Sequence, residues 1–404
     1  MPLPDEYDRI NADLQPFRAL SPAILRRRIT DLQAPGNGHE TFTLAVKDGR
    51  ASTSHSTFDA DVIGGSHDRM QGQLELIRDV AQYLPDFEAV YSIHDAPTRF
   101  ISYGHRQDLD NLIEDGSYLD PLGETDTDGH GWAAACPYGS VFRKLGEQPT
   151  PAAKSFIKSH VQSMDLCAHP SVPALHGLTL GMTPVPQTTL LPMFSLSKTN
   201  LHADILGIPV EQWAEFPSEA ATNWADKSDD RLLWRGRNTG GIFSKDVDWR
   251  SSHRARLAAT SGDDARGWTA VLPAPGSLAT DDASGRSLGN ATLERSLGDL
   301  NREMLDVGLA YKPIQCSVED GTCDEIANEL TFRPVKRFEE ELESRFILDV
   351  DGNAWSARFK RLLSTGSLVL KSTIFPEWWN DRVQPWYRKS DLAEASLEES
   401  RSLT

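Results

Sequence analysis

Between Ile347 and Ser372 the chain reads ILDVDGNAWSARFKRLLSTGSLVLKS, and this stretch narrows the folds open to it more than any other. An apolar run enters a turn at Asp349-Val350-Asp351-Gly352-Asn353. A short helical pattern follows, stops at Gly366 and gives way to a second apolar run, Leu368-Val369-Leu370. Strand, helix and strand in this order is a βαβ unit, whose two strands run parallel. Trp355, Phe359, Leu362 and Leu363 fall at helical spacing and are expected to face the sheet, with Arg358 and Arg361 projecting elsewhere on the same helix. A glycine-containing turn between strand and helix is also the geometry in which free backbone N–H groups and the helix dipole hold a phosphate. An ordinary βαβ unit that binds nothing has the same local pattern, and these residues alone leave both readings open.

At 404 residues the chain has room for two domains, each with its own core. Its net charge of −18 argues against nucleic acid or an anionic membrane surface as partner, because a wide phosphate surface needs clustered Lys and Arg. The basic runs present, Arg26-Arg27-Arg28 and Arg358 to Arg361, are short enough to suit one ligand or a solvated face. No apolar run reaches the length of a membrane span, and the opening MPLPDEYDRI has no signal-peptide core. Four cysteines, Cys136, Cys167, Cys316 and Cys323, form two pairs close in sequence. Neither pair has zinc-site spacing; two disulfides and four free thiols both fit the count. The Asn290-Ala291-Thr292 sequon is compatible with secretion.

From the N-terminus, residues 6 to 33 are predicted helical, with Asp5 or Asp8 as cap and a stripe of Leu14, Phe17, Leu20 and Ile24 interrupted by Pro22. FTLAVKDGRAST alternates as a hairpin about Lys47-Asp48-Gly49-Arg50. Met70 to Leu84 is an amphipathic helix, and Phe87 to Ile93 a strand that stops at His94-Asp95-Ala96-Pro97. Side chains just beyond the carboxyl ends of strands line the ligand crevice of an α/β sheet. Asp95 therefore stands either where a catalytic carboxylate belongs or as a simple turn opener before Pro97. Asp108 to Gly131, acidic and glycine-rich, reads as a surface loop without the register of a calcium loop. A helix is expected over Ala152 to Met164 and a strand at Pro192 to Ser197, and the low-hydrophobicity segment Ser218 to Asp230 reads as a linker. Beyond it Arg231 to Trp234 forms a strand ending in Arg235-Gly236-Arg237-Asn238-Thr239-Gly240-Gly241. Two arginines and several glycines at a strand end suit a diphosphate, and a solvated turn has the same composition. Arg250, His253, Arg254 and Arg256 read as the polar face of the next helix. Asp263 to Arg286 is loop-rich, Leu300 to Tyr311 is helix or strand, and Phe338 to Arg345 an acidic helix.

Several function classes lose their usual support. The chain has no GxGxxG after a strand, no GxxxxGK[ST] and no HExxH. Its one GxSxG match, Gly285 to Gly289, follows the polar run Asp281 to Ser284 instead of a buried strand and reads as a loop.

Four stretches in order carry a resemblance: LPDFEAVYSIHDAP, then ACPYGS with DLCAHP, then LLWRGRNTGG, then LDVDGNAWSARFKRLLSTGSLVLKSTIFPEWWNDRVQPWY. Together the chain resembles the capsule-associated and protein O-glucosyltransferase family, glycosyltransferase family 90, and within it the fungal branch. The resemblance covers most of residues 6 to 387. It implies an α/β fold of GT-B type, two Rossmann-like domains facing a central cleft: residues 1–222 on the acceptor side and 223–387 on the UDP-sugar side. Residues 388–404, polar, Ser/Glu-rich and without apolar periodicity, read as a disordered tail. It implies an inverting transferase that moves glucose or xylose from a UDP-sugar to a hydroxyl of a glycan or protein. By resemblance Asp95 is the general base. Arg235, Gly236 and Arg237 meet the donor diphosphate, Gly352, Asn353, Ala354, Trp355, Ser356, Ala357 and Arg358 form the donor turn, and Glu377 reaches the ribose. No cofactor is implied beyond the donor, and Mn²⁺ is not favoured, because Asp349-Val350-Asp351 has metal-site spacing but lies inside the family turn. Cys136 and Cys167 match a family pair, which implies a disulfide and a lumenal, secretory-pathway setting. Two features depart from the family: it usually carries an N-terminal anchor or signal, and after Tyr387 it continues with strand and helix where this chain has RKSDLAEASLEESRSLT. A C-terminal domain short of its closing elements, and a truncated paralogue that binds without turnover, is the alternative expectation.

Overall fold

The computed structural model describes residues 4–36, 38–55, 66–120, 129–146, 157, 159–213, 222–262, 269–273, 292–380 and 382–383. The chain opens with α1 (Pro4–Leu14) and, after a 3₁₀ turn, α2 (Pro22–Gln33). Pro22 starts α2 rather than interrupting a longer helix. Ser21 is the cap, its hydroxyl accepting the Ile24 N–H at 3.3 Å, and proline fits the first helical turn because no N–H is missed there. Strands β1 (Thr41–Lys47) and β2 (Arg50–His55) form the expected hairpin. Its two-residue turn needs positive φ at both positions, and Asp48 (φ 49°) and Gly49 (φ 72°) supply it. Helix α3 spans Ser66–Arg78 and ends before the predicted Leu84; Ala81–Tyr83 is a separate 3₁₀ turn with Tyr83 in solvent.

Strand β3 (Phe87–Ser92) follows, then α4 (Tyr103–Glu114). That helix corrects the reading of residues 108 to 131 as one loop: Ser102 caps it and Leu109 is fully buried, so charged residues on one face hid an apolar one. The short helices α5 (Val141–Leu145), α6 (His160–Ser163) and α7 (Val210–Trp213) and two short strands, β4 (Phe194–Ser195) and β5 (Ile205–Leu206), complete the first half. Of the helix expected over 152–164, residues 152–156 and 158 lie outside the described residues, and the described part is helical only over α6. The first sheet has the order β2-β1-β3-β4-β5, antiparallel across the hairpin and parallel from β3 to β5. Phe42, Leu44, Ala89, Tyr91 and Ile93 pack with Met70 of α3 beneath it.

The second half contributes β6 (Asp229–Gly236), α8 (His253–Thr260), a hairpin of β7 (Thr269–Pro273) and β8 (Thr292–Ser296), α9 (Leu297–Met304) and β9 (Leu305–Leu309). It continues with α10 (Thr322–Glu329), α11 (Phe338–Glu341), β10 (Ser344–Val350), α12 (Phe359–Leu363) and β11 (Leu368–Ser372). Leu300 to Tyr311 is therefore helix and then strand, and the acidic helix stops at Glu341. The GxSxG match and residues 388–404 lie outside the described residues. The second sheet, β11-β10-β6-β9, is parallel throughout. The molecule is a mixed α/β protein with a parallel sheet, consistent with Rossmann-like folds. The βαβ unit from Ser344 to Ser372 is present as read, with two local corrections. Trp355 lies in the turn before α12, and Leu363 is exposed, so Phe359 and Leu362 alone provide the buried face of that helix.

All four cysteines are paired, Cys136 with Cys167 and Cys316 with Cys323. No helix among the described residues is long and apolar enough to cross a membrane. The halves meet through specific contacts. His176 stacks on His253 with ring centroids 4.1 Å apart, and the Gly177 N–H donates to His253 Nδ1 at 2.9 Å. Gln212, fully buried, donates to the Ser356 carbonyl at 2.8 Å and to Glu377 at 2.6 Å. After β11 the chain crosses back, with the Lys198 N–H donating to the Pro376 carbonyl.

Candidate functional site

A cleft of about 460 Å³ lies between the halves, large enough for a small-molecule ligand. The first half contributes Arg69, Asp95 and Glu211 to its walls. The second contributes Arg235, Gly236, Arg237, Thr239, Arg254, Tyr311, Lys336, Glu341, Gly352, Asn353, Trp355, Ser356, Ala357, Arg358 and Arg361 among others. Seven basic side chains thus face three carboxylates in a chain whose net charge is −18. This local reversal of sign favours an anionic ligand.

Asp95 stands just past the end of β3, as the strand-end argument requires. Its Oδ1 accepts from Arg69 Nη2 at 2.5 Å and Trp355 Nε1 at 3.3 Å, and its Oδ2 from Asn353 Nδ2 at 3.1 Å. Arg69, on α3, also donates to Glu211 at 2.7 Å and to the Ile93 carbonyl at 2.6 Å. Burial alone would lower the Arg69 pKa; the charges of Glu211 and Asp95 and their hydrogen bonds outweigh it and hold the guanidinium above its ordinary value. His94 points the other way and pairs with Glu40 at 2.9 Å.

The arginine loop after β6 divides its work. Arg235 lines the cleft, but its guanidinium is spent on the fold. It donates to the carbonyls of Pro334, Trp234 and Asp306 and to the Asp306 carboxylate at 2.6 Å. In this structure, then, Nε and both Nη groups of Arg235 are engaged by protein acceptors, and its guanidinium presents no free two-pronged fork to the cleft. Gly236 allows the Trp234 ring to lie against the strand, where an added Cβ would meet it at 2.7 Å. Arg237 is exposed and stacks over Tyr311 at 4.5 Å, beside a backbone at φ 65° that only a few non-glycine residues adopt.

The turn after β10 is tighter than a phosphate cradle. The Gly352 N–H donates to the Trp355 carbonyl at 2.8 Å and the Ala354 N–H to the Gly352 carbonyl at 3.0 Å, so two of the expected phosphate donors are used internally. Ala354 holds φ 75°, is fully buried and does not line the cleft. Ser356 Oγ donates to Asp349 at 2.6 Å, and Arg358 donates to the Arg235 carbonyl at 2.5 Å with its Nη2 3.7 Å from Asp349. Among the described residues that Nη2 has no hydrogen-bond partner.

Glu377 does not line the cleft either. It is fully buried, 3.4 Å from Lys371 and bonded to Gln212, behind the wall of the cleft. Lys371 also pairs with Asp349 at 3.0 Å and Asp351 at 3.2 Å. The Asp349-Val350-Asp351 carboxylates therefore serve a buried ammonium beneath the turn, and among the described residues no group of three or more His, Cys, Asp or Glu is arranged to hold a metal ion.

Four lining residues have no visible signal in the sequence: Arg69, Glu211, Tyr311 and Lys336. The reading of Arg250, His253, Arg254 and Arg256 as one polar face holds for Arg250 and Arg256, which are exposed, and fails at Arg254. Arg254 is buried, donating to the carbonyls of Asp351, Val350 and Arg237 and to Thr239 Oγ1; burial, with Arg358 nearby, pulls its pKa down to about 10. Its place at the second position of α8, behind the Ser252 cap, was the one available hint.

No protein-family model matches the chain, and a search of the curated proteins finds no match.

Proposed function

We propose that the protein is a UDP-sugar-dependent glycosyltransferase that works with inversion, built as a GT-B pair of domains with acceptor and donor entering the cleft from opposite halves. One observation carries the reading: Asp95, from the first half, shares a single cleft with the basic residues of the second half, in a strongly anionic chain. In the reaction Asp95 accepts the proton of the acceptor hydroxyl, whose oxygen forms the new bond to the anomeric carbon as the bond from that carbon to UDP breaks. Arg237, Arg358 and Lys336 stabilise the charge that develops on the departing UDP. Glucose or xylose as the sugar, and a glycan or protein hydroxyl as acceptor, belong to the same proposal, as does a lumenal setting, which the two disulfides support.

A second reading, a chain that binds nucleotide sugar without turning it over, is favoured by the hydrogen bonds that tie Nε and both Nη groups of Arg235 to Trp234, Asp306 and Pro334. UDP release from a panel of UDP-sugars separates the two. The first reading expects release from UDP-glucose or UDP-xylose, and its loss in Asp95→Asn with UDP affinity retained. UDP binding by the wild type without release from any donor favours the second, and no UDP binding at all rejects both.

A further inference from the structure

Asp95 is gripped from two sides. Arg69, a cation on its own half, pulls the carboxylate toward α3, while Asn353 and Trp355 reach it from the turn across the cleft. Asn353 is engaged at both ends, because its Oδ1 accepts the Gly240 N–H at 3.0 Å. Chemistry fixes the orientation of that amide: a backbone N–H can only donate and a carboxylate only accept, so the oxygen must face Gly240 and the NH₂ must face Asp95. One planar side chain therefore ties the Asp95 carboxylate to the loop that carries Arg237. The Trp355 indole N–H is likewise donor only.

Resting on the transferase reading above, we propose that Asn353 and Trp355 are positioning residues for Asp95 and not contacts to the donor. Arg69 alone would draw the carboxylate toward its own helix. Two neutral donors on the far side balance that pull and aim Asp95 into the cleft, without adding a second positive charge that would weaken it as a base. Because Asn353 also holds the Gly240 backbone, the base and the arginine loop are set together, and a shift of one displaces the other.

Two variants test this in the full chain. Asn353→Asp keeps an oxygen for the Gly240 N–H but turns a carboxylate oxygen on Asp95; Trp355→Phe removes the indole donor and keeps most of the ring. With UDP affinity measured by calorimetry and turnover as UDP release from the donor the panel selects, each variant should lower kcat about 10-fold or more. The Kd for UDP should stay within about threefold of wild type, which also reports that the variant is folded. Unchanged kcat in both variants, or a loss of UDP affinity that matches the loss of turnover, overturns the positioning role and leaves the transferase reading standing. A wild-type protein that does not release UDP removes the transferase reading, and this inference with it.

Discussion

Lys371 is a nearly buried ammonium, its side chain 9% exposed, with three buried carboxylates, Asp349, Asp351 and Glu377, around it. The charges do not cancel one for one, and the surplus shows at Glu377. Burial, with Asp351 adding to it against the pull of Lys371, pushes that carboxyl up to about 7. A folded pKa above the unfolded 4.5 means that its contribution to stability is complete below pH 4.5 and is lost as pH rises through 7. Glu377→Gln cannot ionise, so its stability relative to wild type should rise by on the order of 3 kcal/mol between pH 4.5 and 8. Urea unfolding at the two pH values measures this, and a difference independent of pH would contradict it. Lys371→Met leaves buried carboxylates without their cation and should cost about 3–5 kcal/mol. In sequence Lys371 is only the fourth residue of an apolar strand. Asp95 was legible because a strand end is a local feature; Arg69 was not, because the Asp95 carboxylate it meets is 26 residues away in the chain.

At the scale of elements, α8 and the loops around it set the back wall of the cleft. Ser252 Oγ caps α8 by accepting the Ala255 N–H at 3.3 Å, ahead of His253 and Arg254. Ser252→Ala should lower stability by about 1 kcal/mol, read from the urea midpoint at unchanged slope. The backbones of the two halves come close at Gly177, where a Cβ would sit 2.4 Å from the Gly240 carbonyl oxygen. Backbone cannot swing aside as a side-chain tip can, so Gly177→Ala must part the two segments. We expect a cost of about 1–3 kcal/mol, checked by the same measurement. The βαβ unit, the first hairpin and β6 were all visible as patterns. The helix over 103–114 and the burial of Arg254 were not, because charged residues in an amphipathic segment do not say which face the fold will cover.

Across the whole molecule, the disulfides and the contacts between halves hold the cleft together. The bond from Cys136 to Cys167 spans 31 residues and lies in the core with Phe100, Trp132 and Leu166. Restricting a loop of that length in the unfolded chain is worth roughly 3–4 kcal/mol, against roughly 2 for the seven-residue span of Cys316–Cys323. Replacing the first pair by alanines should therefore lower the unfolding free energy more than replacing the second. Unfolded, unreduced protein should titrate no free thiol. A larger loss from the second pair would place the dominant constraint in the second half.

The sequence by itself determined the class of fold, the parallel βαβ unit, the hairpin, the strand-end position of Asp95 and the basic character of the loop after β6. Each rests on periodicity or turn chemistry within a dozen residues. Only the tertiary structure decided which of those residues face the cleft. Ala354, Glu377 and the guanidinium of Arg235 turn inward, while Arg69, Glu211 and Tyr311 turn toward the ligand space. The reason is physical: a buried polar group must find partners. Whether Arg235 is left free for a ligand depends on Asp306 and on the Pro334 carbonyl, which folding brings to it from 71 and 99 residues away.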